Sequence, residues 1–145
     1  MTPRDEVKAE QPPQTLAARL AKTLAVAAHA LPNVFDESTD YFRAFSVELE
    51  PSKALTPESF ASAASVSAKF HVDFRPADAF FATAKEWGEP YASAFALLET
   101  LMRATLSELT VAFARKEGVV RVRMWLFGRL PTGALVGLKT EATET

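Results

Sequence analysis

The chain has 145 residues, 48% hydrophobic, 23% charged and 10% aromatic, which is the apolar supply of one ordinary globular domain rather than of a disordered or fibrous chain. Sixteen basic against eighteen acidic residues leave a net charge of −2, which removes the basic footprint that binding to a nucleic-acid backbone demands. The absence of cysteine excludes a disulfide framework, a thiolate metal site and a thiol nucleophile, and a reducing, cytoplasmic setting is expected.

Residues 1–11 are polar and aperiodic, a frayed N-terminal segment ahead of a domain over 12–145. Pro12 and Pro13 sit where proline is tolerated at a helix start, and Leu16, Leu20, Leu24, Ala27 or Ala28, and Leu31 recur at helical spacing up to Pro32. The Ala28-His29-Ala30 triplet superficially resembles a signal-peptide cleavage site. Asp5, Glu6 and Glu10 spoil a positive leading region, and Arg19 and Lys22 interrupt the apolar run, so a helix of the mature chain is expected. No stretch approaches about 18 uninterrupted apolar residues, and no membrane span is expected.

The loop from Asn33 to Asp40 carries Asp36, Glu37 and Asp40 and is the most acidic window. Tyr41 to Glu50 alternates as a half-buried strand stopped by Pro51, and Thr56-Pro57 is an N-cap followed by a first-turn proline, opening a short helix to about Val66. Lys69 to Phe74 alternates again. Pro76 opens a helical segment through Phe80, Phe81 and Trp87, broken by Gly88 and Pro90. Phe95, Leu98, Met102, Leu106, Leu109 and Phe113 then predict one long helix from about Tyr91 to Lys116, stopped by Gly118. Val119 to Phe127 reads as a third strand, Gly128, Pro131 and Gly133 as a turn, and Ala134 to Thr140 as a fourth strand. The expected architecture is α/β, a single-domain three-layer α-β-α sandwich with a sheet of about four strands.

The chemistry-bearing residues are sparse. His29 and His71 have no carboxylate at ligand-like spacing, and the pair Asp73 and Asp78 divides between a polar strand face and a helix first turn, where the macrodipole favours an acid. Gly128, Gly133 and Gly137 form no phosphate cradle. Arg121 and Arg123 with Trp125 make a short basic-aromatic stripe, whose default reading is aliphatic stems shielding the sheet. The acidic loop gains meaning beside a basic partner, because clustered carboxylates imitate phosphates. Trp87 reads equally as an exposed anchor or as a core residue closing its helix. The closing TEATET ends in a carboxylate next to a threonine hydroxyl, hard oxygens of the kind Mg²⁺ accepts, although periodicity alone favours fraying.

The strand at Phe70 to Val72, the Asp78-Ala79-Phe80-Phe81 segment, Trp87 after an acidic residue, the long helix, and TGALVGLKTEATET closing on Glu144-Thr145 together resemble the nuclease A inhibitor family. The resemblance is strongest from Phe70 to Thr145 and weaker back to Phe35, and residues 1–13 have little counterpart. It implies an α-β-α sandwich that is no enzyme and has no cofactor of its own. Such a protein blocks the active site of a sugar-non-specific ββα-metal nuclease, makes no direct contact with nucleic acid or membrane, and is a monomer when free. On the same resemblance the terminal threonine, directed at the nuclease Mg²⁺ in the complex, falls on Thr145, and the exposed tryptophan falls on Trp87. The family's acidic loop residue falls on Glu37; aligning Tyr41 without a gap places Ser38 there instead, with Asp36 or Asp40 as substitutes. Glu144 matches the penultimate residue. The alternative reading is an interaction module of the same fold with a partner other than a nuclease.

Overall fold

The computed structural model describes residues 15–29, 31 and 42–143, beginning with a helix whose inner stripe is built from small side chains. Helix α1, Leu16–Ala28, is capped by Thr15, whose hydroxyl accepts from the amide of Ala18 at 3.0 Å. Its buried positions are Ala17, Ala21, Leu24 and Ala28, while Leu16 is 68% exposed. The buried stripe is therefore rotated from the expected leucine stripe, and three alanines let the helix backbone approach the sheet closely. Pro12, Pro13 and the acidic loop lie outside the described residues.

Strand β1, Arg43–Val47, is shorter than its alternating pattern suggested. Helix α2, Pro57–Ala63, starts as the sequence predicts: Thr56 accepts from the amide of Ser59, and the Ser59 hydroxyl accepts from the amide of Thr56, a reciprocal capping box. Strand β2, His71–Pro76, leads directly into helix α3, Ala77–Lys85.

The expected helix from Tyr91 to Lys116 is in fact two elements, helix α4, Tyr91–Thr105, and strand β3, Ser107–Arg115. Leu106 turns the chain to extended backbone, and Val111, Ala112, Phe113 and Ala114 are all buried. A strand buried on both faces loses its alternation, so apolar residues that fall three or four apart imitate a helix. Gly118 accordingly belongs to a strand-to-strand turn rather than to a helix stop. Strands β4, Arg121–Arg129, and β5, Leu135–Thr143, complete an antiparallel sheet of order β1-β5-β4-β3-β2. Among the described residues the single α/β domain thus has four helices and five strands, one strand more than about four.

Side chains divide between the two sheet faces. Val111, Phe113, Val122, Met124, Leu126, Val136 and Leu138 share one apolar cluster with Leu24 of α1, Phe80 and Phe81 of α3, and Phe95, Leu98 and Met102 of α4. Phe45, Ala112, Ala114, Trp125, Phe127 and Leu135 form a second cluster around Phe60 of α2. Phe60 stacks on Phe127 at 4.8 Å and meets Trp125 edge-on at 5.1 Å, contacts that add about 0.5–1.5 kcal/mol per pair beyond area burial.

The β4–β5 turn is tied to the rest of the molecule by Arg129, which is buried. Its Nε donates to the Gly133 carbonyl at 3.1 Å and its Nη2 to the Glu50 carbonyl at 2.6 Å. Gly133 has φ +98°, and a Cβ there would land on the carbonyl oxygen of Leu49. Only glycine fits both the left-handed backbone and the close approach.

Candidate partner-binding surface

Helices α3 and α4 run antiparallel. Asp78, at the start of α3, meets Arg103 near the end of α4 at 2.5 Å, and Lys85, at the end of α3, meets Glu99 at 2.8 Å. Arg103 also holds Glu99 at 2.9 Å, one helical turn away. The Lys85 hydrogen bond is the largest influence on Glu99 and holds its carboxyl below the ordinary glutamate value; partial burial opposes it, and Arg103 adds to it. Arg103 is pushed up, first by Asp78 and then by Glu99.

This hairpin has an open end, where α3 leaves β2 and α4 enters β3, and a closed end formed by residues 86–90. At the closed end Gly88 has φ +77° and the Glu89-Pro90 peptide is cis. The Glu89 carboxylate accepts from the Ser93 hydroxyl at 2.6 Å and from the Ser93 amide at 3.3 Å, satisfying a donor of the first turn of α4.

The same turn presents Trp87, which is 40% exposed, and Tyr91, 39% exposed, their rings edge-to-face with centroids 6.4 Å apart. Trp87 is thus exposed rather than a core residue closing its helix. Tyr91 carries no signal in the sequence beyond standing at a helix start, and its pairing with Trp87 appears only in the fold. One helical turn further on, Phe95 packs on Phe80 at 5.9 Å, and Phe80 packs on Phe42 at 6.4 Å. Phe42 immediately precedes β1, so this chain of rings ties α4 through α3 to the start of the outer strand β1.

The sheet register sets the end of β5 beside the start of β4, at the sheet end opposite the one where β2 leads into α3. Arg43 of β1 pairs with Lys139, and Thr143 pairs with Arg121 at the start of β4. The adjoining β3–β4 turn is closed by the Val119 amide donating to the Lys116 carbonyl at 3.1 Å, and Val120 there is 62% exposed. Sequence reading assigned both valines to a strand and missed this exposed apolar tip. Glu144 and Thr145, like Asp36, Glu37 and Asp40, lie outside the described residues.

The remaining candidates are taken up in other contacts. His71 meets Asp73 at 3.1 Å, and Arg115 meets the same carboxylate at 3.2 Å, an ion-pair group on the edge strand β2 whose histidine is largely exposed. Asp78 is engaged by Arg103, so Asp73 and Asp78 are not brought together as a carboxylate pair. Arg121 is bound to Glu141 at 2.9 Å and Trp125 is 5% exposed, which leaves the basic-aromatic stripe without a stacking surface. Among the described residues no group of three or more His, Asp or Glu side chains could hold a metal ion, and no helix is long and apolar enough to cross a membrane.

A search of curated proteins finds no match. A family model described as nuclease A inhibitor-like protein matches residues 18–145, a span that includes the acidic loop, the Trp87 turn and the C-terminal Thr145. That family is one of nuclease inhibitors rather than enzymes. With nearly the whole chain matched, the protein belongs to the nuclease A inhibitor-like family.

Proposed function

We propose that this protein binds a sugar-non-specific, metal-dependent nuclease and blocks its active site. The observation that carries the reading is the family match over 18–145. The exposed Trp87–Tyr91 pair supports it, because a large aromatic side chain presented on a rigid turn is the kind of anchor that dominates interface energetics. In this reading Thr145 directs its carboxylate and hydroxyl at the Mg²⁺ of the nuclease, Glu144 lies beside it, and Glu37, with Asp36 and Asp40 as alternatives, supplies the acidic contact to a basic cleft. The metal belongs to the nuclease, and the inhibitor brings no cofactor of its own. The free protein is a cytoplasmic monomer, its domain spans 12–145, and its helices flank the sheet as a three-layer sandwich.

An inhibition assay against a purified ββα-metal nuclease tests the reading. Deleting Thr145, or adding a few residues after it, is expected to weaken inhibition by roughly tenfold to a hundredfold, the effect of removing one central contact. Undiminished inhibition by the extended chain would remove the metal-directed role of the C-terminus.

A further inference from the structure

On the sheet face that carries α2, a cavity of about 470 Å³ lies between β1, β5, β4 and Ala64. Phe45, Val47, Ala64 and Trp125 give it an apolar lining. Arg43, Lys139 and Arg123 come to it from three neighbouring strands, Arg43 directly opposite Lys139 and Arg123 directly opposite Glu141.

The charges at this cavity do not balance. Glu141 is already engaged by Arg121 at 2.9 Å, and among the described residues no salt bridge engages Arg43, Lys139 or Arg123. Arg123 is held in place by lying over the Phe70 ring at 5.0 Å. Like charges directly opposite on paired strands are destabilising. Protection of an exposed edge accounts for Arg43 on the outer strand β1, but β5 and β4 are inner strands, so it accounts for neither Lys139 nor Arg123.

We propose that this cavity is a binding site for a small phosphorylated organic molecule of about nucleotide size. A phosphate between Arg43, Lys139 and Arg123 relieves their mutual repulsion through charge-assisted hydrogen bonds, and the apolar lining receives the uncharged body. The volume falls within the about 300–1,000 Å³ typical of small-molecule sites. A nucleic-acid strand is the poorer fit, since Trp125 is buried in the cavity floor and offers no face on which successive bases stack.

Trp125 supplies the readout. Trp87→Phe leaves it the single remaining tryptophan of the two in the chain, and the assay requires no nuclease. Titrating that variant with thymidine monophosphate is expected to change Trp125 emission saturably, whereas thymidine and inorganic phosphate bind roughly tenfold or more weakly. Lys139→Ala and Arg123→Ala, both at exposed positions, each weaken the monophosphate by roughly tenfold, and Lys139→Arg restores it. An emission that never responds to the monophosphate overturns the site, as does unchanged affinity in Lys139→Ala. Equal affinity for thymidine would remove the role of the cations, and equal affinity for inorganic phosphate would remove that of the apolar lining.

Discussion

The two ends of the sheet are built to different purposes. At one end β2 hands over to α3, α4 hands over to β3, and Arg129 pins the β4–β5 turn to the segment after β1 through the carbonyls of Glu50 and Gly133. Polar groups there are buried and matched. At the other end a cis turn presents Trp87 and Tyr91, the β3–β4 turn exposes Val119 and Val120, and β5 finishes at Thr143 beside Arg121. Large apolar side chains there are left facing solvent. On the proposed function, the difference teaches that stability and recognition are drawn from separate residues: the first end fixes the frame, and the second leaves apolar side chains exposed for a partner to cover.

Substitutions at each end can break or sharpen that division. Gly133→Ala has the largest expected effect, about 3 kcal/mol or more of lost stability, because the new methyl group meets the Leu49 backbone at a position with φ +98°. Denaturant unfolding checks it, and a neutral result would show that the β4–β5 turn shifts freely. Trp87→Ala is expected to leave the unfolding midpoint nearly unchanged while costing about 2 kcal/mol in nuclease binding, roughly a thirtyfold rise in Kd by titration calorimetry. Were stability to fall instead, Trp87 would belong to the frame.

Glu99→Gln should be the mildest. Lys85, Arg103 and Asp78 are well exposed although the Glu99 side chain between them is only 17% so, and losing that central carboxylate is expected to cost about 0.5–1 kcal/mol. Because folding lowers the Glu99 pKa, its contribution is complete above the ordinary glutamate value and fades as the pH falls through the lowered one. The stability difference between native and Glu99→Gln proteins should therefore shrink in acid, which melting curves across that range would show.

The sequence is most legible where local chemistry decides the conformation. Thr56-Pro57 announces the start of α2 without help from the rest of the chain, and the break at Gly88 and Pro90 marks the turn that carries Trp87. It is least legible where tertiary packing overrides a local pattern. Burial on both faces disguises β3 as the continuation of α4, and Ala17 and Ala21 take the inner stripe of α1 in place of Leu16 and Leu20, alongside the expected Leu24 and Ala28. The candidate site divides in the same way. Trp87 stands out in the sequence only as either an exposed anchor or a core residue, and its exposure and its pairing with Tyr91 are seen only in the fold. The three like charges around the cavity, drawn from residues 43, 123 and 139, are likewise invisible until the sheet register joins them.

Hydrogen exchange of this protein alone and in complex with a ββα-metal nuclease tests the central claim most directly. The amides from Trp87 to Ala92 and from Val119 to Arg121 are predicted to exchange more slowly in the complex, with those of the Leu130 to Ala134 turn unchanged. Inhibition accompanied by protection only at the Arg129 end, with the Trp87 turn exchanging as in the free protein, would contradict the account.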